Sequence, residues 1–322
     1  MKREYSIFVG DVALDEYYKA PYWPNISEKL IVETLKPNIG GMIANAASVY
    51  AGYGESTFFV SLLNSGKVTR KLLKNLDEGG IDTRYILYDD NLPDSKTIVF
   101  LTENDHTIFI PNLGINYIDI TPEVFEAIKG AKLIYTTIME IKRLRYNQLE
   151  AIDIIKEARS LGTRFVCDLD VAHLEPGDEK YIKEMDIVFF NQMGFRVYQK
   201  GTSYEKAILK LLEYGIEIVA VTMGANGANI HTREKKIHVP GIPVEVVDVT
   251  GAGDTFCSSF IYAMSKSSNL YTVSNFANAA ASRAVTRMGP RGGVTKSKSV
   301  IDFMKEKGLE VGEEYQSFLE SR

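Results

Sequence analysis

Residues 132–170 read KLIYTTIMEIKRLRYNQLEAIDIIKEARSLGTRFVCDLD. KLIYTTI and TRFVCDLD are short apolar runs rich in Ile, Val, Phe and Tyr, the pattern of core strands. Between them, YNQLEAIDIIKEARSLG carries apolar residues at three and four spacing and closes on Gly162, which predicts a helix ended by a C-cap. Strand, helix and strand in that order make a βαβ unit, whose strands run parallel with both faces covered. The rhythm extends outward in both directions. SIFVG (6–10), STFFVSLL (56–63), DIVFFN (186–191) and IEIVAVTMG (216–224) read as further core strands, and KVTRKLLKNLDEGG (67–80) and YEKAILKLLEYG (204–215) as further helices. The fold class expected is α/β, with a mostly parallel central sheet covered by helices on both faces.

Two stretches depart from this rhythm. Residues 16–38 and 88–112 contain most of DEYYKAPYWP, KLIVETLKP, SKTIVFLTE and DHTIFIP, which alternate as half-exposed strands do. They are expected to pair as a small separate sheet at the strand-end face, where open α/β folds bind ligands. The alternative is a set of surface hairpins without a function. The division expected is a core of residues 1–15, 39–87 and 113–322, with 16–38 and 88–112 forming the small β unit.

Composition limits the function classes. The 322 residues carry 37 Lys and Arg against 42 Asp and Glu, a net charge of -5, and no basic block that would neutralise a phosphate backbone. Nucleic acid is therefore not an expected partner. No run reaches membrane-spanning length and the N-terminus lacks a secretory pattern, so a cytoplasmic location and no membrane partner are expected. Cys167 and Cys257 sit far from any C-x-x-C pattern, and the four histidines lack H-E-x-x-H spacing, which argues against disulfide scaffolds and zinc hydrolases.

The chemistry is concentrated from Glu245, in EVVDVTGAGDTFCSSFIYAMSK. A short strand, a glycine turn at Gly251 and Gly253 and an amphipathic helix are predicted there. Unpaired amides at such a turn, joined by the first turn of the helix, form a cradle for an anion. The dinucleotide fingerprint fails at Phe256, where a third glycine belongs. A P-loop fails too, because Gly66-Lys67 has Ser61 upstream and Val68 after it. Asp254 directly after the cradle is out of place as a phosphate ligand. It fits if the carboxylate takes a proton from a hydroxyl attacking a bound phosphoryl group while the amides of Gly251, Ala252 and Gly253 offset charge on that group. The competing use is a carboxylate that merely favours the helix N-terminus.

DVTGAGDTF (248–256) together with GGMIANAASVYAGYG (40–54) resembles the two signature regions of the ribokinase-like, or PfkB, family of carbohydrate kinases. The likeness runs from GDVALD (10–15) to NAAASRAVTRMGPRGG (278–293). It implies a Rossmann-like core with a β lid, ATP with Mg²⁺, and transfer of the γ-phosphoryl group to a hydroxyl of a small sugar or sugar acid. Asp254 then resembles the family's catalytic base, and Gly251, Ala252 and Gly253 its anion hole. Asp248 and Thr250 fall where many members help to hold a monovalent cation such as K⁺. Asp15 matches the acid that accepts from sugar hydroxyls, and Asn45, with Gly40 and Gly41, the loop and amide that hold the sugar from the other side. Glu140 is a further candidate sugar contact. On the nucleotide side the resemblance implicates Thr222, Gly224 and Gly227 in VTMGANGA, Asn191 in FFNQMG, and Asn278.

Departures from the family pattern narrow the expectation. Gly194 stands where several members carry a glutamate that organises magnesium through waters. Met42 stands where ribokinase proper has a lysine that meets the sugar, and a thioether cannot donate to a hydroxyl. CDLDVAH (167–173) resembles a strand-end D-x-N-x-R but has Asp170 and Ala172 in place of its Asn and Arg, so a basic partner for a substrate carboxylate would come from Lys142, Arg143, Arg145 or Arg291. Tyr17, Tyr18, Tyr22 and Trp23 suit either the shielding of a ligand or a lid-to-lid homodimer contact. A nucleoside kinase of the same fold and a non-catalytic sugar-binding regulator are the alternative functions.

Overall fold

The computed structural model describes residues 3–102, 106–169 and 174–319. The chain begins with β1 (Tyr5–Val9), then makes β2 (Ala13–Lys19), β3 (Glu33–Thr34) and β4 (Asn38–Gly40) before helix α1 (Met42–Gly52). Next come β5 (Ser56–Val60), α2 (Lys67–Glu78), β6 (Ile81–Asp82), β7 (Lys96–Leu101) and β8 (His106–Phe109). The middle of the chain supplies α3 (Pro122–Gly130), β9 (Leu133–Thr136), α4 (Ile138–Ile141), α5 (Ala151–Ser160), β10 (Arg164–Asp168), β11 (Ile187–Asn191), α6 (Gln192–Gln199) and α7 (Tyr204–Glu213). The last third contains β12 (Ile218–Thr222), β13 (Ala228–His231), β14 (Lys236–Val239), α8 (Ala252–Met264), α9 (Leu270–Ala284) and α10 (Ser297–Glu306).

Nine strands form the main sheet in the order β14-β13-β12-β11-β10-β9-β1-β5-β6. It is parallel from β12 to β6, and β13 and β14 join antiparallel at one edge. The apolar runs alternate between two cores. Ile7 and Val9 of β1 face one side with Val188, Phe190 and residues of α3, α5 and α7, while Phe8 faces the other with Tyr135, Phe189 and residues of α1, α8, α9 and α10. Both faces are thus dry, as the near-continuous hydrophobicity of these runs requires.

The order of the strands decides where a ligand can sit. From β1 the chain winds outward through β5 and β6, then crosses back to place β9 on the other side of β1 and winds the opposite way. The carboxyl ends of β1 and β9 therefore flank the topological switch point, the position at which open α/β sheets leave a crevice.

The second sheet has the order β8-β7-β2-β3, with β4 also paired to β2. It springs from the carboxyl end of β1. The stretch 29–37 gives only the two-residue β3, and Ile26 and Ile31 are almost wholly exposed. Alternation on β2 puts Asp15 and Tyr17 on one face and Glu16 and Tyr18 on the other. Tyr18 packs on Phe100, and Phe100 and Phe109 each meet Trp23, so Trp23 belongs with the face turned from Asp15.

Two local expectations are corrected. Residues 245–249 form no strand: Val246, Val247 and Val249 are more than half exposed, and the Val247 and Asp248 amides both donate to the Val285 carbonyl just after α9. The helix after the glycine turn is not amphipathic either. Residues 254–263 of α8 are all buried, because α1, α9 and β11 close around it. A helix enclosed on all sides needs no polar stripe.

Candidate active site

Asp11, at the end of β1, organises the switch point. Its Oδ2 accepts from the Met42 amide and its Oδ1 from the Ile43 amide, each at 3.1 Å, satisfying two donors at the N-terminus of α1. That contact fixes α1, and with it Asn45, against β1. Asp15 lies on β2 opposite Asn38 of β4 and Thr97 of β7. A Cβ on Gly40 would come within 2.0 Å of Asp15 Oδ2, so only glycine leaves room for that carboxylate. Gly41 is the N-cap of α1. Burial first, and the Asp11 charge after it, raise the Asp15 carboxyl to about 6 against the opposing Thr97 hydrogen bond and Arg291 charge.

Glu140 lies in α4, directly after β9 on the other lip of the switch point. Its carboxylate pairs with Arg143 Nη1 at 3.0 Å. Burial nonetheless raises it to about 7, with Asp11 adding to the effect. Asp11 is therefore an electrostatic neighbour of both Asp15 and Glu140.

Gly251 is the N-cap of α8 at φ 75, and a Cβ there would lie 1.9 Å from the Pro290 carbonyl oxygen, so this turn also requires glycine. Ala252 N–H already donates to the Val249 carbonyl at 3.2 Å. The amides of Gly251, Gly253 and Asp254 find no acceptor among the described residues. Gly253 is exposed, and a Cβ on it would meet nothing within 4 Å. The first turn of α8 thus presents unpaired donors to open space, which fits the phosphoryl end of a nucleotide.

Asp254 does not act as a helix cap. It is 9% exposed, and its Oδ2 accepts from Asn45 Nδ2 of α1 at 3.0 Å, across 209 residues of sequence. Oδ1 accepts from none of the described residues. Burial first, then the Asp168 charge, and finally Asp11 raise this carboxyl to about 8, against the lowering effect of the Asn45 hydrogen bond. A carboxyl placed this way, raised above its ordinary range beside the first turn of a helix, has the chemistry to accept a proton once ionised.

The remaining candidates are divided among the loop before α8, the ends of β11 and β12, and α9. Asp248 Oδ1 accepts from the Thr250 amide at 2.9 Å and Oδ2 from the Gly289 amide at 2.8 Å, tying the loop before α8 to the loop after α9. A monovalent cation at Asp248 and Thr250 would have to use the lone pairs that remain. Asn191 and Thr222 are partners in the β11–β12 register. Asn191 Oδ1 caps α6 through the Gly194 amide at 2.7 Å, and the Thr222 hydroxyl donates to the Phe190 carbonyl at 3.3 Å. Gly224 and Gly227 bound the turn between β12 and β13. Asn278 is buried in α9, and its Nδ2 donates to the Pro240 carbonyl at 2.8 Å, so it anchors the loop after β14. Among the described residues no group of three or more His, Cys, Asp or Glu side chains could hold a metal ion.

Of the four basic candidates, Lys142 pairs with Glu175 and Asp178, Arg143 with Glu140, and Arg145 with Glu150. Arg291 instead reaches the centre, where its Nε donates to Asn45 Oδ1 at 3.3 Å. Asp170 and Ala172 lie outside the described residues. Sequence reasoning missed Asp11 and Asp168. Asp11 carried a signal, since it follows Gly10 at the end of a core strand. Asp168, at the end of β10, carried no comparable motif, yet its Oδ2 lies 3.8 Å from Cys257 Sγ, on α8 one turn beyond Asp254.

Known proteins resemble the chain in sequence and in fold. A family model described as "pfkB family carbohydrate kinase" matches residues 6–297. The ribokinase of Bacillus subtilis (strain 168) is 24% identical over 305 residues, covering 92% of this chain and 98% of that protein. Among solved structures, Arabidopsis thaliana ribokinase complexed with ribose and ATP superposes with a TM-score of 0.81 at 23% identity, over 94% of this chain and 99% of that one. A nucleoside kinase of Methanocaldococcus jannaschii gives a TM-score of 0.76 at 21% identity, over 95% and 99% of the two chains. These likenesses establish the Rossmann-like core with its additional small sheet.

Proposed function

The chain belongs to the pfkB family of carbohydrate kinases, and from that premise we propose that it transfers the γ-phosphoryl group of ATP to a hydroxyl of a small sugar or sugar acid, with Asp254 as the general base. One observation carries the reading. A buried carboxyl stands at the first turn of α8 with one oxygen held by Asn45 and the other accepting from none of the described residues, beside backbone amides that find no acceptor among them.

The acceptor lies at the switch point, its hydroxyls bonded to Asp15 on the second sheet and to Asn45 on α1. Both are held by groups already in place, so little ordering accompanies binding. The acceptor oxygen forms a bond to the γ-phosphorus as the bond from phosphorus to the ADP oxygen breaks, and the hydroxyl proton passes to Asp254 Oδ1. The Gly251 and Gly253 amides donate to the oxygens of the transferring group, and Ala252 joins them by exchanging its bond to Val249. A magnesium ion bound with the nucleotide would supply positive charge near those oxygens, and Asn191 at the end of β11 is the side chain that would meet its water shell. The second sheet, carrying Asp15 and Tyr17, serves as the lid that excludes water.

A panel of aldoses, ketoses, their acids and nucleosides, assayed by coupled detection of ADP, tests the proposal. Sugar-dependent ADP release is the expected result. Release with nucleosides alone would move the chain to the alternative acceptor class, and none with any acceptor would favour a binding role without catalysis.

A further inference from the structure

Four side chains form a continuous hydrogen-bonded line through the site. Arg291, in the loop after α9, donates from Nη1 to Asn75 Oδ1 of α2 and from Nε to Asn45 Oδ1 of α1, and Asn45 Nδ2 donates to Asp254 Oδ2 of α8. We infer that Arg291 is a positioning residue for the base: it decides which end of the Asn45 amide faces Asp254, and thereby which oxygen of Asp254 is left for the acceptor.

The argument is one of donor and acceptor inventory. An amide side chain can turn end for end at almost no steric cost, and the two orientations have opposite meanings for a neighbouring carboxylate. With the NH₂ toward Asp254, the ionised form is stabilised and Oδ2 is occupied. With the carbonyl toward Asp254, only the protonated form has a favourable bond, and the base is lost. A guanidinium has donors and no acceptor, so its Nε can meet only the carbonyl end of Asn45. Burial lowers the Arg291 guanidinium to about 10, which still leaves it charged and donating at neutral pH.

The arginine is itself held. Its neighbour Pro290 presses its carbonyl on Gly251, and Gly289 donates to Asp248, so this loop is fastened on both sides of the turn that carries the anion cradle. Arg291 thus ties the orientation of the base to the position of the cradle. Its Nη2 is buried and has no partner among the described residues, which offers a rival use: direct contact with the acceptor.

The inference rests on the reading of Asp254 as the base, but its test is made on the ligand-free protein and needs no turnover, so a failed kinase assay leaves it decidable. The titration of Asp254 is followed by ¹³C-carboxyl NMR, assigned with Asp254→Asn, in the wild type, Arg291→Met, Arg291→Leu, Asn45→Ala and the two double variants. Neither Met nor Leu can donate to Asn45, and Arg291→Leu accompanies Arg291→Met so that poor folding of one still leaves a measurement. The expected result is a midpoint raised by about one pH unit in each single variant, the size of one lost charge-assisted hydrogen bond, with no further rise when Arg291 is replaced in the Asn45→Ala background. A rise that persists undiminished in that background would show that Arg291 acts through its charge and would overturn the inference. An unmoved midpoint in both Arg291 variants would overturn it in favour of direct acceptor contact.

Discussion

At Asp254, three influences of different sign meet on one side chain. Burial and the Asp168 charge favour the protonated form, and the Asn45 amide opposes them, leaving the carboxyl at about 8. A base must be ionised to accept a proton, so kcat/KM should rise with pH along a limb near that value. Asp168→Asn removes a like charge and should move the limb to lower pH, whereas Asn45→Ala removes the bond that holds the ionised form and should move it higher. Profiles of the three proteins with the best acceptor check both signs. Asp254 and Asn45 were legible in the sequence because each sits within a local glycine-bearing motif. Asp11, Asp168 and Arg291 were less so, because their meaning depends on partners brought together from α1, α8 and the loop after α9.

The element that matters most, α8, was half legible. Its glycine turn and helix were evident in TGAGDTF, but its enclosure by α1, α9 and β11 was not, and the valines before it suggested a strand that finds no partner edge. Strands β1, β5, β9, β10, β11 and β12 were readable because burial on both faces leaves a continuous apolar run, whereas the short β6 and the antiparallel β13 and β14 toward the sheet's edges were not. The second sheet was readable from its alternation, apart from the poorly paired residues 20–32. The turn itself makes a prediction. Gly251→Ala places a side chain in the left-handed region, costing about 1–2 kcal/mol, and drives it into the Pro290 carbonyl. Thermal unfolding should show a clear loss of stability. An unchanged Tm would mean that the loop after α9 is not packed on the turn as described.

Across the whole molecule, Asp15, Glu140 and Asp254 crowd acid onto one end of the sheet, raised to about 6, about 7 and about 8. Each holds its proton in the folded state to a higher pH than in the unfolded chain, so between the two values the folded state binds more protons. Stability then falls as pH rises, from the ordinary carboxyl range up through the folded values. The unfolding midpoint in denaturant should decline from about pH 5 to pH 8, and Asp254→Asn, which cannot ionise, should remove the upper part of that decline. A wild type whose stability rises steadily over the same range would show that these carboxyls are not jointly buried.

The central claim is met most directly by Asp254→Asn, which preserves the side chain's shape and removes its capacity to take a proton. With a productive acceptor identified for the wild type, the phosphoryl-transfer rate of the variant should fall roughly 100-fold to 10,000-fold while acceptor and nucleotide still bind. Transfer at the wild-type rate would contradict the account.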